Sequence, residues 1–368
     1  MKILIVSKNF YPENLPRAFR ASELARELSR KGHSVSVFTP LNSEYHPGFS
    51  QQTGVEILDL GQLKWRAITI GKSTGPVKFI KRLVTRMLTL LVYYPDIELL
   101  FRVKKALLRH KKSYDLLISI AAPHSVHWGI TWVLKKNKKL TAKWIADCGD
   151  PFMGGENDTF KRLPYFSYPE KWFCRRADFI TVPILGAIPA YYPEFKSKIR
   201  IIPQGFDFSA IPKPNPGSKN PIPTFAYAGS LIPRIRDPKS FFECILAIRE
   251  EFQFHVYTSS VDYLLPYKEK SRGRIILHNF LPRQDLLVQL STMDFVVNFE
   301  NIGMVQSPSK LIDYALIGKP ILSVKTFGFS DRVLKEFFKG DYTNQYQIDD
   351  VDQYNIENVA KSFCDLAE

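Results

Sequence analysis

Four cysteines in 368 residues, Cys148, Cys174, Cys244 and Cys364, leave no C-x-x-C pair. Their spacing supports neither a zinc knuckle nor a disulfide scaffold, and they read as reduced thiols of a cytosolic chain. Long apolar runs are missing as well. No stretch reaches the ~18 uncharged apolar residues of a membrane span. The nearest, Met87 to Tyr94, is flanked by Arg86 and Pro95-Asp96. The N-terminal run Ile3-Leu4-Ile5-Val6 is too short for a signal-peptide core, so export is not expected. Neither G-x-G-x-x-G nor G-x-x-x-x-G-K-[ST] occurs, which removes the main support for a nucleotide-dependent dehydrogenase or a P-loop NTPase. G-x-S-x-G and H-E-x-x-H are also absent, and with them the commonest serine hydrolase and zinc protease signatures.

What is present is enough for two packed cores. The length corresponds to roughly two domains of ~100–200 residues, and 45% of the residues are hydrophobic. The formal charge of +15 is unevenly placed. Residues 1–200 carry 33 Lys+Arg against 16 Asp+Glu, whereas 201–368 carry 18 against 20. The excess concentrates in 64–112, where Lys78, Lys81, Arg82 and Arg86 precede an apolar run and Lys104, Lys105, Arg109, Lys111 and Lys112 follow Leu99-Leu100-Phe101. Basic residues interleaved with Leu, Phe and Tyr suit anionic lipid headgroups. The plainer reading is a pair of surface helices over 77–111 whose apolar faces are core. A basic face is also the footprint of nucleic-acid binding, but no motif of that kind occurs.

Apolar runs and helical patterns alternate along both halves. Residues 3–6 read as strand, 17–30 as a helix stopped at Gly32, and 34–38 as strand; further strands are expected at Leu116–Ile120, Ala142–Ala146 and Phe179–Val182. Five prolines lie within 211–223, the expected inter-domain linker. A second series follows: strands at Thr224–Ala228, Gln253–Tyr257, Ile275–His278, Phe295–Phe299 and Ile321–Val324, with helices over 238–250, 283–291 and 308–317. The fold class is α/β, two doubly wound Rossmann-like domains facing across a cleft, the usual place for a nucleotide-containing ligand. The expected domains are 1–205, a linker over 206–223, 224–355, and a C-terminal helix over 356–368 returning to the first domain.

Three segments carry candidate chemistry. In the stretch from Gln306 to Pro320, Ser307 can cap a helix that Pro308 begins and Gly318 with Pro320 ends. Such an N-terminus, with Ser307 and Ser309 hydroxyls, suits a diphosphate. Lys310 and Asp313 share a helix face, the ammonium to reach a phosphate and the carboxylate to accept from ribose hydroxyls; the alternative is an i,i+3 ion pair on a capped helix. After the first strand beyond the linker, Gly229 permits close backbone approach, and Arg234, Arg236 and Lys239 offer cations to a departing diphosphate or simply face solvent. In the first half, His124 follows one strand, and Asp147 and Asp150 follow the next. The carboxylates are placed to act as base, transition-state stabiliser or acceptor clamp, and His124 to hydrogen-bond a sugar or phosphate. The plainer alternative makes Asp150-Pro151 a turn and His127, followed by Trp128, a satisfied half-buried ring.

Taken in order, these pieces resemble family 4 glycosyltransferases of GT-B fold, particularly bacterial enzymes of capsule, O-antigen and exopolysaccharide assembly. The likeness rests on Met1–Val6 with Tyr11-Pro12-Glu13, Arg20 and Gly32-His33-Ser34-Val35; on Asp115 to His127 and Asp147 to Phe152; on Ile202-Pro203-Gln204-Gly205-Phe206-Asp207; and on Ala228-Gly229-Ser230 and Pro308 to Pro320. The resemblance implies retaining, metal-independent transfer of a sugar from a nucleotide diphosphate sugar, which is substrate rather than cofactor. Donor contacts fall at Gly229, Arg234, Lys239, Ser307, Ser309, Lys310 and Asp313. The acceptor, a lipid-linked glycan or polysaccharide, falls to the first domain, with Arg20, Lys78, Lys81, Arg82 and Arg86 on the acceptor or membrane side. The implied location is the cytoplasmic face of the plasma membrane, without nucleic acid. Four features depart from the pattern. Asn14-Leu15-Pro16 replaces a glycine-bearing loop, Val305 and Asp313 stand where many members carry two glutamates, Asp147 stands near a usual histidine, and Gln204 replaces an asparagine. Within the same fold a nucleotide-sugar epimerase is the alternative enzyme, and a non-catalytic membrane-surface scaffold the alternative outside catalysis.

Overall fold

Strands that are apolar at nearly every position must be covered on both faces, which is the condition of a parallel sheet wrapped by helices. The computed structural model has two such sheets. It describes the chain except residues 67–74, 138, 155–161, 210–219, 233–235, 280, 301–308, 327–328 and 330, with the backbone alone for Gly75, Pro76 and Ser309. Two compact units result: Met1–Phe206 with Ile356–Glu368, and Asp207–Asn355.

The first unit contains β1 (Lys2–Ser7), α1 (Pro16–Arg30), β2 (Ser34–Thr39), α2 (His46–Thr53), β3 (Glu56–Asp59), α3 (Gly75–Val92) and α4 (Glu98–Arg109). It continues with β4 (Tyr114–Ala121), α5 (Ser125–Lys136), β5 (Thr141–Cys148), α6 (Ser167–Arg176), β6 (Phe179–Val182) and β7 (Ile199–Ile201). Its strands are parallel and ordered β3-β2-β1-β4-β5-β6-β7. Pro16 sits at the start of α1, where its missing N–H costs nothing, and Gly32 leaves the helix end at a φ of 84°. One layer of core lies between the sheet and α1, including Ile3, Ile5, Leu24 and Leu28. The other face is covered by α4, α5 and α6, with Trp128, Trp144 and Phe173 fully enclosed.

The second unit contains β8 (Thr224–Ala228), α7 (Lys239–Ala247), β9 (Gln253–Tyr257), α8 (Val261–Lys270), β10 (Ile275–His278), α9 (Arg283–Ser291), β11 (Phe295–Phe299), α10 (Ser309–Leu316), β12 (Ile321–Val324) and α11 (Asp331–Phe338). Its parallel order is β10-β9-β8-β11-β12. Phe225 is in register with Phe254 and Phe295, and its ring stacks at 4.6 Å on each, an aromatic ladder across three strands. The linker expected over 206–223 falls largely outside the described residues. At its end, Asn220 and Thr224 donate backbone N–H groups to Asp294, which attaches this segment to the second unit.

The last helix, α12 (Ile356–Asp365), belongs to the first unit. Ile356, Val359, Ala360 and Phe363 bury against the layer that contains Ala21, Leu24 and Leu28, and Arg30 meets Glu357 at 2.8 Å. A Cβ at Gly205 would lie 2.5 Å from Ile356 Cδ1 and 3.3 Å from Ile356 Cα and Val359 Cβ, so a larger residue would make the Ile356 side chain shift.

Candidate functional site

A doubly wound sheet reverses its strand order once, and the segments leaving the carboxyl ends of the two strands at that point diverge and open a crevice. In the second unit this occurs between β8 and β11. Their pairing is short, limited to Phe225 with Phe295 and Ala226 with Val296. Beyond it the Ala228 N–H donates to Tyr314 Oη at 3.0 Å, and that hydroxyl donates back to the Ala228 carbonyl at 3.3 Å. The side chain of α10 thus replaces the ladder where the strands part.

The crevice holds a cavity of about 220 Å³ lined by Gly229, Ser230, Tyr257, Leu286, Leu290, Lys310 and Asp313, among others. Gly229 has a φ of 142°, and a Cβ there would lie 3.1 Å from Tyr227 Oη and 3.8 Å from Lys310 Cδ. Glycine therefore keeps the backbone open beside the lysine. The Lys310 Nζ is enclosed, lies 4.2 Å above the Tyr227 ring and has no hydrogen-bond partner among the described residues. Burial, and secondarily the Arg236 charge, hold its amine well below the ordinary lysine value. Asp313 accepts from Arg283 Nη2 at 2.6 Å and Nε at 3.1 Å; burial raises its carboxyl pKa, and Arg283 only partly offsets this. The i,i+3 Lys310–Asp313 ion pair is accordingly not formed.

Of the residues expected to bind the donor, Gly229, Lys310 and Asp313 come together here. Arg234 and Ser307 lie outside the described residues, as does the Ser309 side chain, although its backbone begins α10. Lys239 does not join them: it does not line the cavity, is 64% exposed and reaches Glu243 at 3.9 Å across solvent. Arg236, three residues earlier, is half-buried and donates to the Ser230 carbonyl at 3.2 Å. Arg283 and Tyr314 went unnoticed in the sequence, because each meets its partner across 30 residues or more of chain with no periodic signal. Only their placement on helices that follow strands of an α/β unit hinted at them.

In the first unit three expectations need correction. Asp147 is not available as a base. Burial alone would raise its pKa, but Arg20, bonded to both its oxygens at 2.9 and 3.1 Å, and Thr181 Oγ1 at 2.7 Å hold the carboxylate ionised and occupied. Arg20 is not an acceptor or membrane contact, since it is 2% exposed and also donates to the Ile202 and Pro203 carbonyls. This pair ties α1 and β5 to the segment after β7. His124 is not a sugar or phosphate contact either: burial pulls its pKa down to about 3, and its Nε2 donates to the Asp150 carbonyl at 3.0 Å. Asp150 itself is exposed. On α3 the basic residues Lys78, Lys81, Arg82 and Arg86 lie among apolar side chains that face water, Phe79 at 69% and Ile80 at 57% exposure.

No protein-family model and no curated protein sequence matches the chain. Solved structures do. The whole chain aligns with 98% of sucrose-phosphate synthase from Thermosynechococcus elongatus at a TM-score of 0.64 and 14% identity. It aligns with 99% of the lipopolysaccharide outer core galactosyltransferase WaaB at 0.61 and 12%. It aligns with 97% of Anabaena HepE, solved in complex with UDP, at 0.57 and 11%. Identities this low speak to architecture, and with the two parallel sheets described above they establish it: the chain has the two Rossmann-like units of the GT-B glycosyltransferase fold.

Proposed function

We propose that the protein is a glycosyltransferase that takes a sugar from a nucleotide diphosphate donor and passes it to a lipid-linked glycan or polysaccharide at the cytoplasmic face of the membrane. The observation that carries this reading is the Lys310 amine, enclosed in a cavity at the strand-order reversal of the second unit and without a hydrogen-bond partner among the described residues. Charging a buried amine is costly without a counter-charge, and a diphosphate supplies that charge. Solved structures of the same architecture hold UDP, in HepE, and ADP, in the catalytic domain of starch synthase IV from Arabidopsis thaliana.

In this reading Lys310 and Arg236 face the diphosphate, Arg234, Ser307 and Ser309 are further donor contacts on the ground of the sequence, and Asp313 accepts from ribose hydroxyls. When the sugar–oxygen bond breaks, the leaving phosphate oxygen gains charge that these groups stabilise. No metal is needed for that step, and transfer proceeds with retention. Deleting one such contact typically costs ~10²–10³ in rate. Asp150, the exposed carboxylate after β5, orients the acceptor, and α3 rests on anionic lipid.

Calorimetric titration with UDP, ADP and GDP tests the donor site. One of them is expected to bind the wild type and to bind Lys310→Met at least tenfold more weakly, since a hydrogen bond to a charged group contributes ~1.5–3 kcal/mol. Binding by none of the three, or equal binding to both proteins, removes the basis for this function. Release of free nucleotide only when an acceptor is added then separates transfer from isomerisation of the donor.

A further inference from the structure

In the first unit, three side chains with metal-ligating atoms meet at the carboxyl ends of β4 and β5. His124 immediately precedes α5, His127 lies in the first turn of that helix, and Cys148 ends β5. They are 4%, 0% and 0% exposed. One donor atom from each lies within 4.8 Å of the other two, the only such group of three among the described residues. His127 Nε2 and Cys148 Sγ stand 3.4 Å apart. A tetrahedral ion with bonds of ~2.0–2.1 Å to nitrogen and ~2.3 Å to sulfur separates such atoms by about 3.5 Å.

The opposite ring nitrogens are already engaged. The Asp150 carbonyl can only accept, so His124 carries its proton on Nε2 and leaves Nδ1 as a bare lone pair. That Nδ1 is fully enclosed and receives no hydrogen bond from the described residues. His127 Nδ1 lies 2.8 Å from Ser119 Oγ, which also accepts from Trp144 Nε1 at 2.8 Å. Outer partners that orient each imidazole and leave its second nitrogen turned inward are the usual surroundings of metal-binding histidines. The buried Tyr191 hydroxyl is set against the Cys148 thiol. An orphaned imidazole nitrogen beside that thiol indicates an absent occupant rather than a finished core.

We propose that His124, His127 and Cys148 bind one thiophilic d10 cation, Zn²⁺ or Cu⁺, which staples the start of α5 to the end of β5. Two imidazoles and a thiolate form a donor set that favours these ions over Mg²⁺ or Ca²⁺. On loading, the Cys148 S–H bond breaks, the proton leaves to solvent and the sulfur pair forms the bond to the metal, with no change of oxidation state. With Zn²⁺ and one thiolate the site keeps a single positive charge, which the nearby buried Glu170 carboxylate can oppose. The proposal stands independently of the donor site in the second unit.

The test uses full-length protein purified without a histidine tag or chelator. Elemental analysis is expected to find about one equivalent of zinc or copper. Protein stripped with chelator should show a thiolate-to-cobalt charge-transfer band on adding Co²⁺, and Zn²⁺ should abolish the band and raise the unfolding midpoint. Cys148→Ser should lose the band, and His124→Gln should weaken it. Absence of bound metal together with no cobalt band in the wild type overturns the proposal and leaves a buried water as the occupant. A band of full strength in Cys148→Ser also overturns it, by assigning the metal to another thiol. The wild-type spectrum decides the matter even where a variant fails to fold.

Discussion

The Asp147–Arg20 pair and Lys310 show two ways of burying charge. Asp147 and Arg20 satisfy one another, each 2% exposed. Removing one partner from a buried pair typically costs ~3–5 kcal/mol, because the other charge is stranded. Asp147→Ala is therefore expected to lower the denaturant midpoint of the first unit strongly, and a midpoint unchanged from wild type would show that the pair carries no stability. The native Asp147 pKa is depressed, so its contribution is fully present above the ordinary aspartate value of about 3.9 and is lost as pH falls through the native value. Lys310 gives the same sign of pH dependence, but as a penalty on the charged form that is relieved as pH rises. Its native pKa is lowered, so the unfolded chain holds more protons between that value and about 10.4, and stability rises with pH across the window. A bound diphosphate should restore the proton. Nucleotide binding within the window is thus expected to take up a fraction of a proton, read from titrations in buffers of different ionisation enthalpy. Heats that do not depend on the buffer would place the diphosphate elsewhere.

At the scale of elements, α3 and α12 are both amphipathic, yet among the described residues only α12 buries its apolar face. Ile356, Val359, Ala360 and Phe363 of α12 are buried, whereas α3 leaves Val77, Phe79, Ile80, Leu83 and Met87 in water beside its four basic residues. The basic-apolar pattern was legible in the sequence, but not the exposure of its apolar side chains. Whether an apolar face meets core or water depends on neighbours that periodicity does not reveal. Charge reversal at Lys78, Lys81, Arg82 and Arg86 should reduce co-sedimentation with phosphatidylglycerol vesicles by an order of magnitude or more, as each basic residue near such a surface contributes ~1 kcal/mol. Nucleotide affinity should not change. Equal sedimentation of both proteins, or equal binding to neutral vesicles, would refute the lipid contact.

At the scale of the whole molecule, each unit has its own sheet and its own core clusters. Scanning calorimetry is expected to resolve two transitions. The nucleotide that binds should raise only the transition of the second unit, by ~2.7 kcal/mol of stability at a hundredfold excess over its dissociation constant. A shift of the other transition alone would move the donor site to the first unit.

Strand alternation and helix stops were local enough to be read directly. Thr224–Ala228, Gln253–Tyr257 and Phe295–Phe299 begin and end where their apolar runs do, because a buried parallel strand needs covering side chains along its whole length. The glycine after β8 and the Lys310–Asp313 spacing on one helix face were equally visible. Tertiary structure alone decided which charges meet. Arg283 reaches Asp313, Arg20 closes over Asp147, Lys239 faces solvent, and His124, His127 and Cys148 converge beneath the surface. Each outcome depends on desolvation and distance between segments remote in the chain, and these acquire values only once each sheet gathers the ends of its own strands.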